Sequence, residues 1–211
     1  MKTESTDRGM KWCLSKLELQ ALLAFASTDP EGAPVHCTIC FEEKTRTASA
    51  TDGKRALMIE TRDHDGTQAS KITRNLIAVE HVGRLVRMAD RDETITLVFG
   101  SSRVTCDLVS SGQMSLFEGA KAFDLPLVLD GKFPDVRAIV PKPSEKGSKL
   151  EGFSLDANLL PPLKLMQAAT GSKGIRIAVP STPNEWIVVR AEYAEQETSW
   201  TAVIAPIREE G

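Results

Sequence analysis

A short helix followed by strand-like runs recurs along this chain about every 60 to 70 residues, a spacing that marks a structural repeat. This constrains the fold strongly, because one short helix and a few strands cannot bury their own apolar faces and must stack on neighbours. In the first copy, Ser15-Lys16-Leu17-Glu18 is a capping-box sequence. Leu19, Leu22, Leu23 and Phe25 follow at helical spacing, predicting a helix over 16–27 that Asp29-Pro30-Glu31-Gly32 ends. Strand-like runs at 35–41 and 47–60 come next, joined by the charged turn 42–46.

The second copy places Leu76, Ile77, Val79, Val82, Leu85 and Val86 at the spacing of an amphipathic helix over 73–88. Residues 93–99 and 103–109 then alternate as a hairpin around Gly100-Ser101-Ser102. A linker rich in Pro, Ser, Lys and Gly at 143–150 precedes a strand at 152–155. Asp156 caps a third helix, in which Pro161-Pro162 fit only the first turn and Leu163, Leu165 and Met166 follow. Strands at 175–179, 186–193 and 200–207 complete this copy. The expected organisation is a flexible N-terminus at 1–10, a domain of two copies over 11–142, and a half domain of one copy over 151–211. The expected fold class is α+β.

Charge and cysteine usage narrow the function. Lys and Arg number 26 against 29 Asp and Glu, a net charge of -3, which leaves room for a basic stripe on one face but not for a uniformly basic surface. No apolar run reaches the roughly 18 to 20 residues of a membrane span, and the N-terminus is too polar for a signal peptide, so a cytoplasmic protein is expected. Cys13, Cys37, Cys40 and Cys106 are few enough to be reduced, structural thiols. His36 precedes the Cys37-Thr38-Ile39-Cys40 pair, a spacing also used for zinc or redox chemistry. A strand there would point the two thiols to opposite faces, and no second pair completes four ligands, so no metal or cofactor is expected. The sequence has no GxxxxGK[ST], HExxH or GxSxG motif, and Asp52 reads as a turn former, so no enzyme is expected.

Three segments carry a resemblance. Ala50-Thr51-Asp52-Gly53-Lys54-Arg55-Ala56-Leu57 resembles the ATDGHRLA segment of the bacterial DNA polymerase III beta subunit, the sliding clamp. Residues 129–142, reading LDGKFPDVRAIVPK, resemble the clamp's DGxFPDYxxxxPK junction between its second and third domains. Ala202-Val203-Ile204-Ala205-Pro206-Ile207-Arg208 resembles its terminal VVMPMR. The three occur in the family order, over about residues 12–208. The resemblance implies a shortened clamp: a DNA-clamp fold of about three helix-plus-meander units. Such a protein encircles duplex DNA as a processivity factor and catalyses nothing. Family rings place twelve units around the duplex, so three per chain imply a homotetramer, with a dimer or an open assembly as the alternative. A non-encircling regulatory relative that binds replication proteins or another clamp is the alternative function.

In the family, these motifs build a hydrophobic groove for peptides of DNA polymerases and the clamp loader. The matching positions are Thr51, Gly53, Lys54, Arg55, Leu57, Pro134, Ile139, Val203, Ile204, Pro206 and Ile207. Ala205 and Ile207 replace the usual methionines, Lys54 a histidine and Ala138 an arginine, which makes for a stiffer pocket of altered depth. Sequence-independent DNA contact requires cations on the helices, and the candidates are Lys16, Arg74, Arg84, Arg87, Lys164 and Lys173. Finally, Gln113-Met114-Ser115-Leu116-Phe117 resembles the QL[SD]LF peptide by which polymerases bind clamps, in an insertion flanked by Gly112 and Gly119.

Overall fold

Ser15 caps its helix as the sequence demands: its hydroxyl accepts from the Glu18 amide at 3.2 Å, and the Glu18 carboxylate accepts from the Ser15 amide at 2.7 Å. The computed structural model describes residues 10–61, 73–90, 93–100, 102–110, 123–128, 131–141, 156–178, 182, 185–192 and 198–206. Within them, β1 (Met10–Ser15), α1 (Lys16–Phe25), β2 (Thr38–Glu42), β3 (Thr47–Thr51) and β4 (Arg55–Thr61) form one strand, helix, three-strand series. The same order returns in β5 (Arg74–Ala78), α2 (Val79–Met88), β6 (Glu93–Phe99), β7 (Arg103–Ser110) and β8 (Phe123–Pro126). A short helix α3 (Val136–Ile139) then precedes α4 (Pro161–Thr170), β9 (Arg176–Ala178), β10 (Ile187–Glu192) and β11 (Thr198–Ile204). The linker at 143–150 and the strand expected at 152–155 lie outside the described residues.

The strands form two antiparallel sheets, ordered β1-β6-β7-β8 and β5-β2-β3-β4-β11-β10-β9. Alternation sorts the side chains of the larger sheet between its faces. Ile39, Phe41, Ala48, Ala50, Leu57, Ile59, Ile77, Ile187, Val189, Trp200, Ala202 and Ile204 join one cluster with Leu19, Leu22 and Phe25 of α1, Val82 and Leu85 of α2, and Leu163 and Met166 of α4. The intervening Cys40, Ala56, Met58, Leu76, Val188 and Val203 join a second cluster with Phe133 and Val136, from the segment 131–141. Three helices therefore cover the inner face of the sheet, and a strap crosses the outer one. Phe41 makes an edge contact with Trp12 at 5.3 Å and a tilted contact with Phe99 at 5.1 Å, tying the larger sheet to the smaller.

Several sequence expectations are corrected. The run at 35–41 begins as a 3-10 turn, Pro34–Cys37, because Pro34 fixes the first turn and Thr38 donates its hydroxyl back to the Val35 carbonyl. The run at 47–60 is two strands, broken where Gly53 takes a φ of +89°. The helix expected over 73–88 starts only at Val79, since Arg74–Ala78 is a strand paired along β2 from Thr38↔Ala78 to Glu42↔Arg74. Cross-strand hydrogen bonding overrides a local pattern that fits either period, and it puts Leu76 and Ile77 on opposite faces. Asp156 caps a 3-10 turn, Ala157–Leu159, ahead of α4, and Pro161 and Pro162 occupy the first turn of α4 as expected.

The capping box seats the helix on which α2 and α4 both pack. Ser15→Ala should therefore destabilise the fold by about 1 kcal/mol, while Ser15→Thr retains most of the cap, as read by urea unfolding.

Candidate functional site

The Thr51–Arg55 turn is rigid because its own side chains hold it. The Asp52 carboxylate accepts from the amides of Lys54 and Arg55, each at 2.9 Å, and from Arg55 Nε at 2.8 Å. Thr51 Oγ1 accepts from the Gly53 amide at 3.0 Å and donates to the Arg55 carbonyl at 2.8 Å. The Asp side chain satisfies backbone donors, which is a turn-forming role. Across the turn, the Ala205 amide donates to the Lys54 carbonyl at 2.8 Å. That bond extends the β4–β11 pairing, in which Arg55 faces Ile204, Ala56 faces Val203 and Leu57 faces Ala202. Two motifs about 150 residues apart thus form adjacent edges of one structure.

The strap supplies the third motif. Phe133 and Val136 are buried against Ala56, Met58, Val188 and Val203, and half-buried Ile139, Val140, Trp186 and Val35 pack at the margin of the same cluster. Arg137 fastens the strap, donating to Thr47 Oγ1 at 2.8 Å and to the Glu60 carboxylate at 2.6 Å. Arg74 fastens it from the other side: it pairs with Glu42 at 2.8 Å and donates to the Phe133 carbonyl at 3.4 Å. The Glu42 carboxylate accepting that hydrogen bond raises the Arg74 pKa, so the cation is firmly held. Between them lies a cavity of about 30 Å³ lined by Cys40, Glu42, Met58, Arg74, Phe133 and Arg137, room for about one water.

Solved structures share the fold. The DNA polymerase III subunit beta of Pseudomonas aeruginosa matches with a TM-score of 0.65 at 16% identity, covering 99% of this chain and 69% of that one. The chain has the fold of the DNA polymerase III beta subunit. The beta subunit of Streptococcus pyogenes matches at 0.63 with 14% identity over 99% of this chain and 68% of that one. That of Borrelia burgdorferi, solved in complex with a natural product, matches at 0.60 with 11% identity over 100% of this chain and 67% of that one. No family profile and no curated protein matches the sequence. The chain thus spans about two thirds of the beta subunits it resembles.

Within this clamp fold the expected groove residues divide. Gly53, Lys54 and Pro134 are exposed, and Arg55, Ile139 and Pro206 are half-buried at the junction surface. Thr51 and Val203 are buried, Val203 on the outer face. Leu57 and Ile204 sit in the inner cluster under the helices, where they set the strand rather than the surface. Ile207 lies outside the described residues, as does the segment Gln113, Met114, Ser115, Leu116, Phe117. Sequence reasoning missed Ala56, Met58, Val188 and Trp186. The period-2 rule applied to 55–61 would have found the first two, whereas Val188 and Trp186 join only through the β10–β11 register, in which Val188 faces Val203.

The helix face is also divided. α1 packs between α2 and α4 on the inner side of the larger sheet. Arg84 and Arg87 are exposed on α2, Lys164 is exposed on α4, and Lys173 is exposed just after it. Lys16 donates its ammonium to the Ala89 carbonyl at 2.6 Å, so it bridges α1 to the C-terminal end of α2. Arg74 is not on a helix. It sits on β5 with its guanidinium in the strap, and the correction follows from the strand at Arg74–Ala78.

Among the described residues, no group of three His, Cys, Asp or Glu could hold a metal ion. Cys37 is half-buried at the end of the 3-10 turn, and Cys40 is buried beneath the strap. Burial pushes the thiols of Cys40 and Cys106 up to about 12 from 9.0. In the unfolded chain both ionise from about pH 9, whereas the folded protein keeps both protonated to about 12. Stability should therefore fall as pH rises from about 9 toward 12. Below that window a thiol reagent should label exposed Cys13 rapidly and reach Cys40 and Cys106 only on unfolding.

Proposed function

We propose that this protein is a sliding-clamp-like processivity factor: a homo-oligomeric ring around duplex DNA that binds polymerase peptides at the β4–β11 junction and carries out no reaction itself. The observation that carries this reading is the junction. The Thr51–Arg55 turn, the Phe133–Ile139 strap and the Val203–Pro206 strand, which the sequence resemblance assigns to one groove, are brought together by the Ala205–Lys54 hydrogen bond and the outer apolar cluster. A peptide bearing Leu and Phe side chains would find half-buried Ile139, Val140, Trp186 and Pro206, with Lys54 and the Gly53 turn at the rim to orient it. DNA polymerase and a clamp loader are the partners such a groove serves.

The helix side supports DNA passage of the sequence-independent kind. Arg84, Arg87, Lys164 and Lys173 lie on or beside helices covering the sheet face opposite the strap, and the exposed Glu80 keeps that face only moderately positive. A moderate field suits a protein that slides, since each neutralised phosphate adds salt-sensitive affinity. A homotetramer fits the size of the chain, given about twelve units in a family ring. A cytoplasmic site of action accords with the absence, among the described residues, of any helix long and apolar enough to cross a membrane.

Retention on DNA tests the ring. The protein should remain on nicked circular duplex and run off the linear form, and equal loss from both would refute encirclement. The double variant Arg84→Ala and Arg87→Ala should lower retention and reduce the slope of log affinity against log salt by about one per lost contact. For the groove, Ile139→Asp and Pro206→Asp should each weaken binding of a fluorescent QLSLF-type peptide at least about tenfold, with the melting temperature unchanged within a few degrees.

A further inference from the structure

Beyond the strap, the outer face of the larger sheet carries a pair of arginines. Alternation along β10 puts Arg190 on the same face as Val188, a member of the outer apolar cluster two positions before it. Arg190 stands opposite Arg176 of β9 in the antiparallel register, so both belong to that face. Along this row of the sheet Met58 faces Thr201, Thr201 faces Arg190, and Arg190 faces Arg176. Met58 is buried in the outer cluster, Thr201 and Arg190 are half-buried, and Arg176 is exposed. The row therefore runs from the covered, apolar part of the face to an open, cationic part.

Like charges directly opposite one another destabilise a strand pair, and a bound anion would relieve them. The other arginines on the strands have an anion already: Arg55 pairs with Asp52, Arg74 with Glu42 and Arg103 with Asp124. Among the described residues, neither Arg176 nor Arg190 has a hydrogen-bond or ion-pair partner. The pair borders a concavity of about 450 Å³, whose other lining residues are Ser172, Gly174 and Ile175 of the loop between α4 and β9. Hydroxyls hold that loop in shape. Thr170 Oγ1 accepts from the Ser172 amide at 3.4 Å, and Ser172 Oγ accepts from the Gly174 amide at 3.3 Å and donates to the Gly174 carbonyl. The concavity thus has a fixed polar wall beside two guanidinium groups whose donors the described residues leave open.

We propose that this cationic bed receives carboxylate side chains of a partner peptide whose Leu and Phe occupy the apolar margin of the β4–β11 junction. This rests on the groove reading and adds the chemistry of the residues that flank the anchors. The position of the pair favours a peptide over a nucleic-acid backbone, because it lies on the strap side of the sheet while the helices cover the other side. Val188, in the apolar cluster, is about 7 Å along the same strand from Arg190, the span of two residues of an extended peptide. An acidic residue close to the apolar anchors therefore reaches the bed while the anchors stay seated. Each guanidinium presents a planar fork that matches a carboxylate. Since the pair is partly open to solvent, its effect is modest and screened by salt, and it selects among partners more than it holds them.

The test compares fluorescent QLSLF-type peptides extended at either end by a short run of Glu or of Ser, bound to the unsubstituted protein and to its Arg176→Gln and Arg190→Gln variants, by anisotropy at low and at physiological salt. At low salt, the Glu extension at one end should tighten binding to the unsubstituted protein at least about threefold. Each substitution should remove most of that gain, and the Ser peptides should bind all of these proteins alike. Arg176→Glu, at an exposed position, should shift the preference to a Lys extension. No gain at either end, or a gain that survives both Gln substitutions, overturns the inference and leaves the groove reading standing. Equal weakening of the Ser and Glu peptides also overturns it, since the loss is then structural. Failure of every peptide to bind refutes the groove reading and the inference together. If the Gln substitutions instead lower retention on duplex DNA and leave the peptide affinities unchanged, the bed serves phosphates and the inference fails.

Discussion

The antiparallel pairing of Arg55–Thr61 with Thr198–Ile204 is the constraint on which the rest of the structure depends. It makes one seven-stranded sheet out of strands far apart in the chain, and β11 shares its backbone hydrogen bonds between β10 and β4. It also fixes the register that sends Leu57, Ala202 and Ile204 inward and Ala56, Met58 and Val203 outward. A slip of one residue would exchange the two faces and expose both sets. The inner set requires helices above it and the outer set requires the strap, and both coverings are present.

The two faces behave differently because they are covered differently. On the inner side α1 is wedged between α2 and α4, and its capped first turn and buried Leu19, Leu22 and Phe25 make it the centre of the helical layer. Burial there also raises the Glu18 pKa, against which the two hydrogen bonds with Ser15 act. On the outer side, among the described residues, there is the strap 131–141 with its short helix α3, secured by hydrogen bonds from Arg74 and Arg137 and by the buried Phe133 and Val136. A face closed in this way leaves half-buried apolar margins at Ile139, Val140 and Trp186.

How much of this was legible in the sequence varies with the range of the interaction that decides it. The Ser15 cap, the hairpin around Gly100 and the proline-opened α4 are local events, and residues 15–18, 100–102 and 161–162 announce them. The 73–88 segment fits one helix by its local pattern because Leu76, Ile77, Val79 and Val82 suit a helix or a strand followed by a helix, and the deciding partner, β2, lies some 35 residues earlier. Arg74 falls on a strand instead of a helix for the same reason. Of the residues expected to form a groove, the sequence motif picked out those of the Thr51–Arg55 turn. It could not separate Val203, which faces the strap, from Leu57 and Ile204, which face the helices, without the pairing register.

By itself the sequence determined the succession of helices and strands, the turn that Asp52 and Gly53 impose, and the three motifs that resemble a clamp, because each is set by residues within a few positions of one another. The tertiary structure alone decided that those motifs meet, that Arg74 serves the strap, and that β4 and β11 join the two parts into one sheet. These are consequences of strand pairings between residues up to about 150 positions apart, and no local propensity encodes which strand finds which.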